Sequence, residues 1–320
     1  MCTATSIKTK DTYFGRTLDY ESSYGEKVVI TPKNYSFNFR HLGINNNHYA
    51  IIGIAHVASN YPMYYDAMNE CGLGMAGLNF VGNASYNKVE DNRVNVAQFE
   101  LISYILCNCK NVIEARQTIQ TINVVDTPYS NLYPTASLHY ILRDSNECIV
   151  VEFMKDGTHI YDNKVGCMTN NPPFNYQLES LKKYQGLSNE DSSKSFSFDD
   201  KFYSRGLGAI GLPGDLSSQS RFIRVAFATY YSHASIDETS SVNQFFHVLE
   251  TVSQTRGLCK VKDGFEITIY TSCMNLDKGM YYYKTYNNSQ INGVDMHKVD
   301  LDTDKLYMYE LEKSELNIQN

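Results

Sequence analysis

The chain has 320 residues, and its hydrophobic content of 42% supports a substantial buried core. Its formal net charge of −7 disfavours nucleic acid as a partner, because nucleic-acid-binding domains usually carry basic patches. No apolar run approaches the roughly 20 residues of a membrane span, so we expect no membrane partner. The eight cysteines are scattered, without a CxxC pair or a signal peptide, which predicts free thiols in a reducing, cytoplasmic compartment.

The first informative feature is the N-terminus, Met1-Cys2-Thr3-Ala4. Initiator methionine is usually removed when a small residue follows it, so we expect the mature chain to begin at Cys2. That residue would then carry both a thiol and an α-amine. A thiolate is the nucleophile of cysteine enzymes, and a terminal amine can act as its base without a histidine. Cys2 is therefore a candidate catalytic residue, and a chance cysteine on a frayed terminus is the alternative.

Strand patterns dominate the first 80 residues and return twice after pairs of helix patterns. The predicted strands cover residues 28–30, 49–55, 73–80, 138–142, 149–153, 159–161, 265–273, 280–286, 291–295 and 306–309. The predicted helices cover residues 99–106, 112–122, 221–231 and 242–252, and Asn111 is predicted to cap the second. Residues 186–204, rich in Ser, Asp and Lys, are predicted to form a surface excursion.

This order lacks the βαβ alternation that would predict a parallel, doubly wound sheet. We therefore predict the α+β class, with two mainly antiparallel sheets packed between helix layers. The sequence shows no internal repeat, and residues 186–204 are the one linker candidate. We therefore predict one domain that spans residues 1–320.

An arginine and an aspartate lie three residues apart in Phe14-Gly15-Arg16-Thr17-Leu18-Asp19. In a hairpin that returns to the first strand, both side chains would reach the N-terminus. Arg16 would then favour the thiolate of Cys2, and Asp19 would hold the amine. A surface ion pair is the alternative interpretation.

Two asparagines and a second arginine are further candidates. Asn79 ends a glycine-rich strand, and Asn170 lies in Thr169-Asn170-Asn171-Pro172. A side-chain amide aimed at an oxyanion is a standard stabiliser, and its loss costs about 3 kcal/mol, whereas turns and caps are the common use of asparagine. Arg221 is predicted to begin an apolar helix, where its charge opposes the helix dipole. One interpretation is that Arg221 has a specific role in a functional site. The other is that its aliphatic chain packs on apolar surface while its guanidinium reaches solvent.

The remaining motifs argue against other hydrolase classes. The eight histidines are dispersed, without an HExxH or another close ligand pair, so no metal site is predicted. A GxSxG elbow is also absent from the sequence.

Taken together, segments along nearly the whole chain resemble the choloylglycine hydrolase family, which includes conjugated bile acid hydrolases and penicillin V acylases. The segments that carry the resemblance are Met1-Cys2-Thr3, Phe14-Gly15-Arg16-x-x-Asp19, Ile30-Thr31-Pro32-x-Asn34-Tyr35, Gly72-Leu73-x-Met75-Ala76-Gly77-Leu78-Asn79-Phe80, Leu138-His139, Thr169-Asn170-Asn171-Pro172, Gly211-Leu212-Pro213-Gly214-Asp215, Ser220-Arg221-Phe222, Phe245-Phe246-His247, Tyr270-Thr271-Ser272-Cys273 and Tyr281-Tyr282-Tyr283.

The resemblance implies a four-layer αββα sandwich, the fold of the N-terminal nucleophile hydrolases. It implies an amidohydrolase without a cofactor, assembled as a homotetramer. It also implies that Cys2 is both nucleophile and base, that Arg16 and Asp19 lie beside it, that Asn79 and Asn170 form the oxyanion site, and that Arg221 supports the centre.

The same resemblance implies hydrolysis of the amide bond of glycine- or taurine-conjugated bile salts. Leu78-Asn79-Phe80 resembles the bile-acid branch, since the penicillin V acylase branch typically carries tyrosine where Asn79 stands. The segment 128–140 departs from the more aliphatic loop of many bile-acid enzymes. The predicted substrate pocket is rich in tyrosine and comprises Tyr20, Tyr24, Tyr65, Tyr129 and Tyr133, with Asn79 beside them. The loop at residues 128–138 is predicted to form part of its surface.

Two alternatives stay open from the sequence. A penicillin V acylase or an acyl-homoserine lactone acylase would use the same catalytic centre. A thiol protein without enzymatic activity, whose cysteines respond to oxidants, belongs to a different class. Retention of Met1 would favour the latter, because a blocked amine cannot act as the base.

Overall fold

A computed structural model describes residues 1–191 and 205–312 of the chain. Within these residues, nineteen strands form a sheet of eight, a sheet of five and three two-stranded ribbons. The strands are β1 Cys2–Lys8, β2 Thr12–Tyr20, β3 Lys27–Thr31, β4 Phe37–Phe39, β5 Gly43–Asn45, β6 Ile51–Ala58, β7 Tyr61–Asn69, β8 Gly74–Asn79, β9 Asn95–Ala97, β10 Asn123–Val125, β11 Leu138–Arg143, β12 Cys148–Met154, β13 Gly157–Asp162, β14 Lys260–Val261, β15 Gly264–Phe265, β16 Ile267–Asn275, β17 Met280–Thr285, β18 Asn288–Asp295 and β19 Tyr307–Glu310.

Both large sheets are antiparallel, as the absence of βαβ alternation predicted. The smaller sheet has the strand order β1-β2-β16-β17-β18, and the larger has the order β13-β12-β11-β8-β7-β6-β3-β19. The β1–β2 hairpin pairs Cys2 with Leu18 and Ala4 with Arg16. The hairpin therefore returns Arg16 and Asp19 to the N-terminus, as expected from the sequence.

Five α-helices cover the outer faces of the two sheets in the described residues. They are α1 Leu101–Asn108, α2 Val112–Thr121, α3 Phe174–Leu181, α4 Ser218–Tyr230 and α5 Glu238–Glu250. Buried residues of α1 and α2 share a core with the larger sheet, and those of α4 and α5 share a core with the smaller sheet. The layers thus follow the order helix, sheet, sheet, helix, and the predicted αββα sandwich is confirmed.

Side chains alternate between the two faces of each strand, so the larger sheet contributes to two hydrophobic cores. In β3, Val28 and Ile30 face the core between the sheets, whereas Val29 faces α1 and α2. All three side chains are fully buried, which a period of two produces when both faces of a sheet are covered. Packing within the smaller sheet is equally close: a Cβ added to Gly15 would lie 2.1 Å from the backbone oxygen of Ser272. Glycine at this position allows β2 to approach β16 beside Arg16.

Most predicted elements lie within two to four residues of the observed bounds, and the Asn111 side chain accepts a hydrogen bond from the Glu114 amide, as predicted for a helix cap. Several elements were not predicted, among them β7 and α3. Strand β7 includes Pro62 and a buried Asp66, which obscure its apolar alternation, and α3 has only eight residues after a proline pair. Most of the predicted surface excursion at 186–204 lies outside the described residues.

The prediction that Arg221 begins its helix was wrong. Helix α4 begins at Ser218, and Ser217 caps it by accepting a hydrogen bond from the Ser220 amide. Arg221 therefore lies one turn inside α4, where its stem projects from a formed turn towards the N-terminal strand.

Candidate active site

The centre of the candidate site is the contact between Cys2 and Arg16. Cys2 is the first residue of β1 and is 4% exposed, while Arg16 on β2 is 1% exposed. The Arg16 Nη2 lies 2.5 Å from the Cys2 Sγ. The contact places a permanent positive charge against the Cys2 sulfur, and a thiolate is the nucleophile that cysteine enzymes use.

Backbone oxygens fix the remaining donors of Arg16. Its Nη1 donates to the Gly77 oxygen at 2.6 Å, and its Nε donates to the Thr17 oxygen at 3.0 Å. Burial lowers the pKa of Arg16, but electrostatic interactions with the acidic groups around it, Asp66 and Asp19 among them, outweigh burial and raise the pKa above its ordinary value. Arg16 is therefore a permanent positive charge beside the thiol.

A buried carboxylate behind Arg16 was not predicted from the sequence. Asp66 on β7 is fully buried and accepts three hydroxyl hydrogen bonds, from Tyr270 at 2.5 Å, Tyr281 at 2.6 Å and Ser272 at 2.7 Å. Burial raises the pKa of Asp66, and Arg16 opposes that rise. These hydroxyls lie on β16 and β17 of the smaller sheet and connect it to β7 of the larger sheet, a pairing that no local sequence pattern indicated.

Arg221 joins the N-terminal strand to the Asn170 loop. Its Nη1 donates to the Cys2 oxygen at 2.6 Å and to the Thr3 Oγ1 at 2.5 Å, and its Nη2 donates to the Asn170 Oδ1 at 2.8 Å. Arg221 is fully buried, and burial lowers its pKa although Asp19 opposes this. A charged side chain that is fully buried is stable only when hydrogen bonds and an opposite charge compensate for its lost hydration.

The two candidate asparagines meet beside Cys2. The Asn170 Oδ1 accepts a hydrogen bond from the Cys2 backbone nitrogen at 2.8 Å, and its Nδ2 donates to the Asn79 backbone oxygen at 2.8 Å. Asn79 is exposed at the end of β8, and its side chain has no hydrogen-bond partner within the described residues. One asparagine thus holds the N-terminus, and the other presents a free amide.

Asp19 is buried close to this cluster but contacts other side chains. Its carboxylate accepts hydrogen bonds from the Thr268 Oγ1 at 2.7 Å and the Thr17 Oγ1 at 3.0 Å, and Arg221 lies 4.0 Å away. Burial raises the pKa of Asp19, and Arg221 opposes that rise. The Asp19 carboxyl group therefore lies between two threonine hydroxyl groups and Arg221, close to the N-terminal residues.

Met1 is present in the structure, so the Cys2 nitrogen is a peptide amide here. The Met1 ammonium donates to the Asp19 backbone oxygen at 2.6 Å and forms an ion pair with Glu266. The Asp19 amide in turn donates to the Met1 oxygen at 2.9 Å.

An aromatic cleft of about 340 Å³ lies next to the Cys2 cluster. Four of the predicted pocket residues line it, namely Tyr24, Tyr65, Tyr129 and Tyr133. The loop at residues 128–138, which was also expected to form part of the pocket surface, contributes Leu132, Pro134, Thr135, Ala136 and Leu138. Residues that were not predicted complete the lining: His56, Met63, Tyr64, Gln98, Phe99, Ile102 and Tyr140. Tyr20 is not among them, but its ring stacks on that of Tyr24 with centroids 5.5 Å apart. The sequence offered no signal for the lining residues that were not predicted, because they come from four separate segments.

Two contacts connect the cleft to the centre. The Arg16 Nη1 lies 3.4 Å from the Tyr65 backbone oxygen, and Leu138 pairs with Asn79 across β11 and β8. Burial raises the pKa of the Tyr65 hydroxyl, so the side chain is a neutral ring. The site thus combines an apolar wall with the Cys2 thiol near its edge.

Hydrogen bonds fix the loop that carries the outer tyrosines. The Tyr129 hydroxyl donates to the Ala58 oxygen at 2.9 Å, and the Tyr133 hydroxyl lies 2.9 Å from the His56 Nε2. Arg40 lies over the Phe99 ring and donates to the Tyr129 oxygen at 2.9 Å. The cleft is therefore largely preformed, as ligand pockets usually are.

Two structural features bear on other classes of function. In residues 1–191 and 205–312, no group of three or more His, Cys, Asp or Glu side chains is arranged to hold a metal ion. In the same residues, no helix combines the length and the apolar character needed to cross a membrane.

Comparison with known proteins agrees with this architecture and site. Residues 2–309 match the model of the linear amide C–N hydrolases of the choloylglycine hydrolase family. A bile salt hydrolase/transferase of Lactiplantibacillus plantarum is 50% identical over 314 residues, which cover 97% of each chain. A crystal structure of a mutant conjugated bile acid hydrolase from Clostridium perfringens has a TM-score of 0.92 at 35% identity over all of both chains.

A penicillin V acylase from Agrobacterium tumefaciens shares the fold. Its TM-score is 0.78 at 19% identity, over 98% of this chain and 92% of that one. The family match and the two closer similarities are decisive together: the chain belongs to the choloylglycine hydrolase family and is a hydrolase of linear amide C–N bonds.

The Cys2–Arg16 contact leads to a prediction about thiol reactivity. Arg16→Gln should slow alkylation of Cys2 by iodoacetamide at pH 7 by roughly tenfold, because the sulfur loses the positive charge that lies 2.5 Å from it. Peptide mass spectrometry would measure the rate at Cys2 separately from the other thiols. The control is Arg93→Gln, since Arg93 is exposed and bonds the end of α2. Equal rates in wild type and Arg16→Gln would show that the guanidinium does not activate the thiol.

Proposed function

We propose that this protein hydrolyses the amide bond between a bile acid and glycine or taurine. The observation that carries the proposal is the position of the Cys2 thiol, which is held by Arg16 at the edge of an aromatic cleft. A volume of about 340 Å³ and walls of neutral tyrosine and aliphatic side chains suit a rigid, largely apolar steroid with a few hydroxyl groups. The names of the related proteins agree with this substrate.

In the proposed reaction Met1 is first removed, which converts the Cys2 nitrogen into an amine. The amine takes the thiol proton, and the thiolate forms a bond to the substrate carbonyl carbon. The C–N bond then breaks, and the leaving glycine or taurine takes the proton back from the ammonium. Water next attacks the thioester and gives a proton to the amine. The S–C bond breaks, the thiolate recovers that proton, and the free bile acid leaves.

Charge on the carbonyl oxygen develops where the two asparagines meet. The free Asn79 amide is the first proposed donor, and the second hydrogen of the Asn170 Nδ2 is the other. The Asn170 Oδ1, 2.8 Å from the Cys2 nitrogen, orients the amine by accepting one of its hydrogens. Arg221 keeps this geometry by binding Cys2, Thr3 and Asn170 together, and Asp19 balances its charge.

We further propose that the protein is a cytoplasmic homotetramer. The family resemblance supports this assembly, and exposed apolar side chains such as Ile44, Tyr230 and Ile236 are available for contacts between subunits. Light scattering would distinguish a particle of four chains from a monomer.

Substrate profiling tests the chemistry and the substrate together. The wild type should release cholate from glycocholate and taurocholate faster than it hydrolyses penicillin V. A correctly processed Cys2→Ser variant should lose activity by at least about a hundredfold, because a hydroxyl is a far weaker nucleophile than a thiol near neutral pH. Its melting temperature should match that of the wild type. Near-normal turnover by the serine variant would reject the nucleophile, and faster penicillin V hydrolysis would reject the substrate.

Kinetics of Tyr65 variants test the cleft. Tyr65→Ala should raise the KM for bile conjugates about tenfold, equivalent to ~1.4 kcal/mol of binding, with a smaller effect on kcat. Tyr65→Phe should retain the wild-type KM, since the ring rather than the hydroxyl forms the wall. Tyr176→Ala is the matched control, because Tyr176 is exposed on α3 and outside the cleft. An unchanged KM in Tyr65→Ala would exclude Tyr65 from the pocket.

A further inference from the structure

A histidine and a glutamate form a fully buried pair behind the Asn170 loop. His139 on β11 and Glu152 on β12 are both completely shielded from solvent, and the pairing of Tyr140 with Val151 places them opposite each other. The His139 Nδ1 lies 3.0 Å from the Glu152 Oε1. The Phe80 ring stacks on the imidazole, with centroids 4.2 Å apart and planes within 4°. The mechanism above uses neither residue.

Hydrogen-bond partners fix how many protons this pair carries. The His139 Nε2 faces the Thr169 backbone oxygen at 2.7 Å, so this nitrogen must bear a hydrogen. The Nδ1 faces a carboxyl oxygen, so a second proton must lie between the two side chains. The pair is therefore neutral overall, whichever partner holds that proton. A bare carboxylate beside an unprotonated nitrogen would be repulsive and very costly at this depth.

The pair binds both ends of the loop that carries Asn170. His139 holds the Thr169 oxygen, and the Glu152 Oε1 accepts a hydrogen bond from the Phe174 amide at 2.9 Å. Within the loop, the Gln177 side chain contacts the Asn170 oxygen and donates to the Pro172 oxygen at 2.9 Å. The end of the loop nearest to Asn170 is thus fixed to the larger sheet and not only to its own helix.

We propose that His139 and Glu152 share one proton and act as positioning residues that hold Asn170 in register with Cys2. The role rests on the proposed function, in which the Asn170 Oδ1 orients the Cys2 amine and its Nδ2 serves the oxyanion. Asn170 has to satisfy the Cys2 nitrogen and Arg221 simultaneously, each at 2.8 Å. A displacement of about 1 Å in such a constellation can cost up to a hundredfold in rate.

This role predicts a separation of kcat from KM. Neither His139 nor Glu152 lines the aromatic cleft, so substrate binding should be nearly unaffected when the pair is broken. In Glu152→Gln, an amide group replaces the carboxyl group. No single atom of an amide can both accept a hydrogen bond from the Phe174 backbone amide and donate one to the His139 Nδ1. In His139→Gln, the amide nitrogen can replace Nε2 as the donor to the Thr169 oxygen, but glutamine has no polar atom bonded to Cγ, where the imidazole has Nδ1, so the contact with Glu152 is lost.

Kinetics and crystal structures of His139→Gln and Glu152→Gln test the proposal. We expect kcat to fall at least about tenfold with KM within about twofold of the wild type. We expect the Asn170 side chain to have moved away from the Cys2 nitrogen in the variant structures. The control is His48→Gln, because His48 is also buried and contacts two backbone carbonyl oxygens, but lines a separate surface depression. That variant should retain the wild-type kcat.

The outcomes separate this proposal from the proposed function. An unchanged kcat in the two variants, or a lower kcat with Asn170 in place, would overturn the positioning role. Failure of both variants to fold would also overturn it, since the pair would then be a stabiliser of the core. A wild type that does not hydrolyse bile conjugates would reject the proposed function, while the Asn170 position in the variant structures would still test the pair.

Discussion

The organisation of the protein depends on one buried contact, the 2.5 Å approach of the Arg16 guanidinium to the Cys2 thiol. A cation buried to this extent needs compensation from both sheets. The Gly77 oxygen supplies it from the larger sheet, and the Thr17 oxygen supplies it from the smaller one. Asp66, held by three hydroxyl groups, adds a negative charge between the sheets. The sandwich therefore keeps its N-terminal strand in the interior, where most chains place apolar residues.

The reactive centre is assembled from each part of the sandwich. The β1–β2 hairpin of the smaller sheet provides Cys2 and Arg16, the larger sheet provides Asn79, and helix α4 provides Arg221. Asn170 belongs to none of these elements, so its position depends on polar contacts with side chains below its loop. Because the site residues come from different elements, buried polar residues without a direct role in the chemistry surround the site and hold these elements together.

Much of the fold and of the catalytic cluster could be predicted from the sequence. The element order predicted two antiparallel sheets between helix layers, and a hairpin was expected to return Arg16 and Asp19 to the N-terminus. Asn79, Asn170 and Arg221 were candidates from their sequence context, and the family resemblance supplied their roles. Long-range polar contacts could not be predicted. The pairing of His139 with Glu152, and the hydroxyl groups around Asp66, depend on strand order, which no local pattern encodes. The residues that line the cleft also come from separate segments, so local patterns could not predict them together. The single domain and the role of Asp19 stay predictions.

The central claim is that the α-amine of Cys2 is the base of the reaction. The most direct test compares two preparations of the identical sequence, one produced while methionine aminopeptidase is active and one while it is inhibited. Intact mass gives the fraction of chains that begin at Cys2, and taurocholate hydrolysis gives the rate. The account predicts a rate proportional to that fraction, with chains that retain Met1 inactive although their thiol is intact. Full activity in a preparation with Met1 retained would contradict it, because another group would then have to accept the proton.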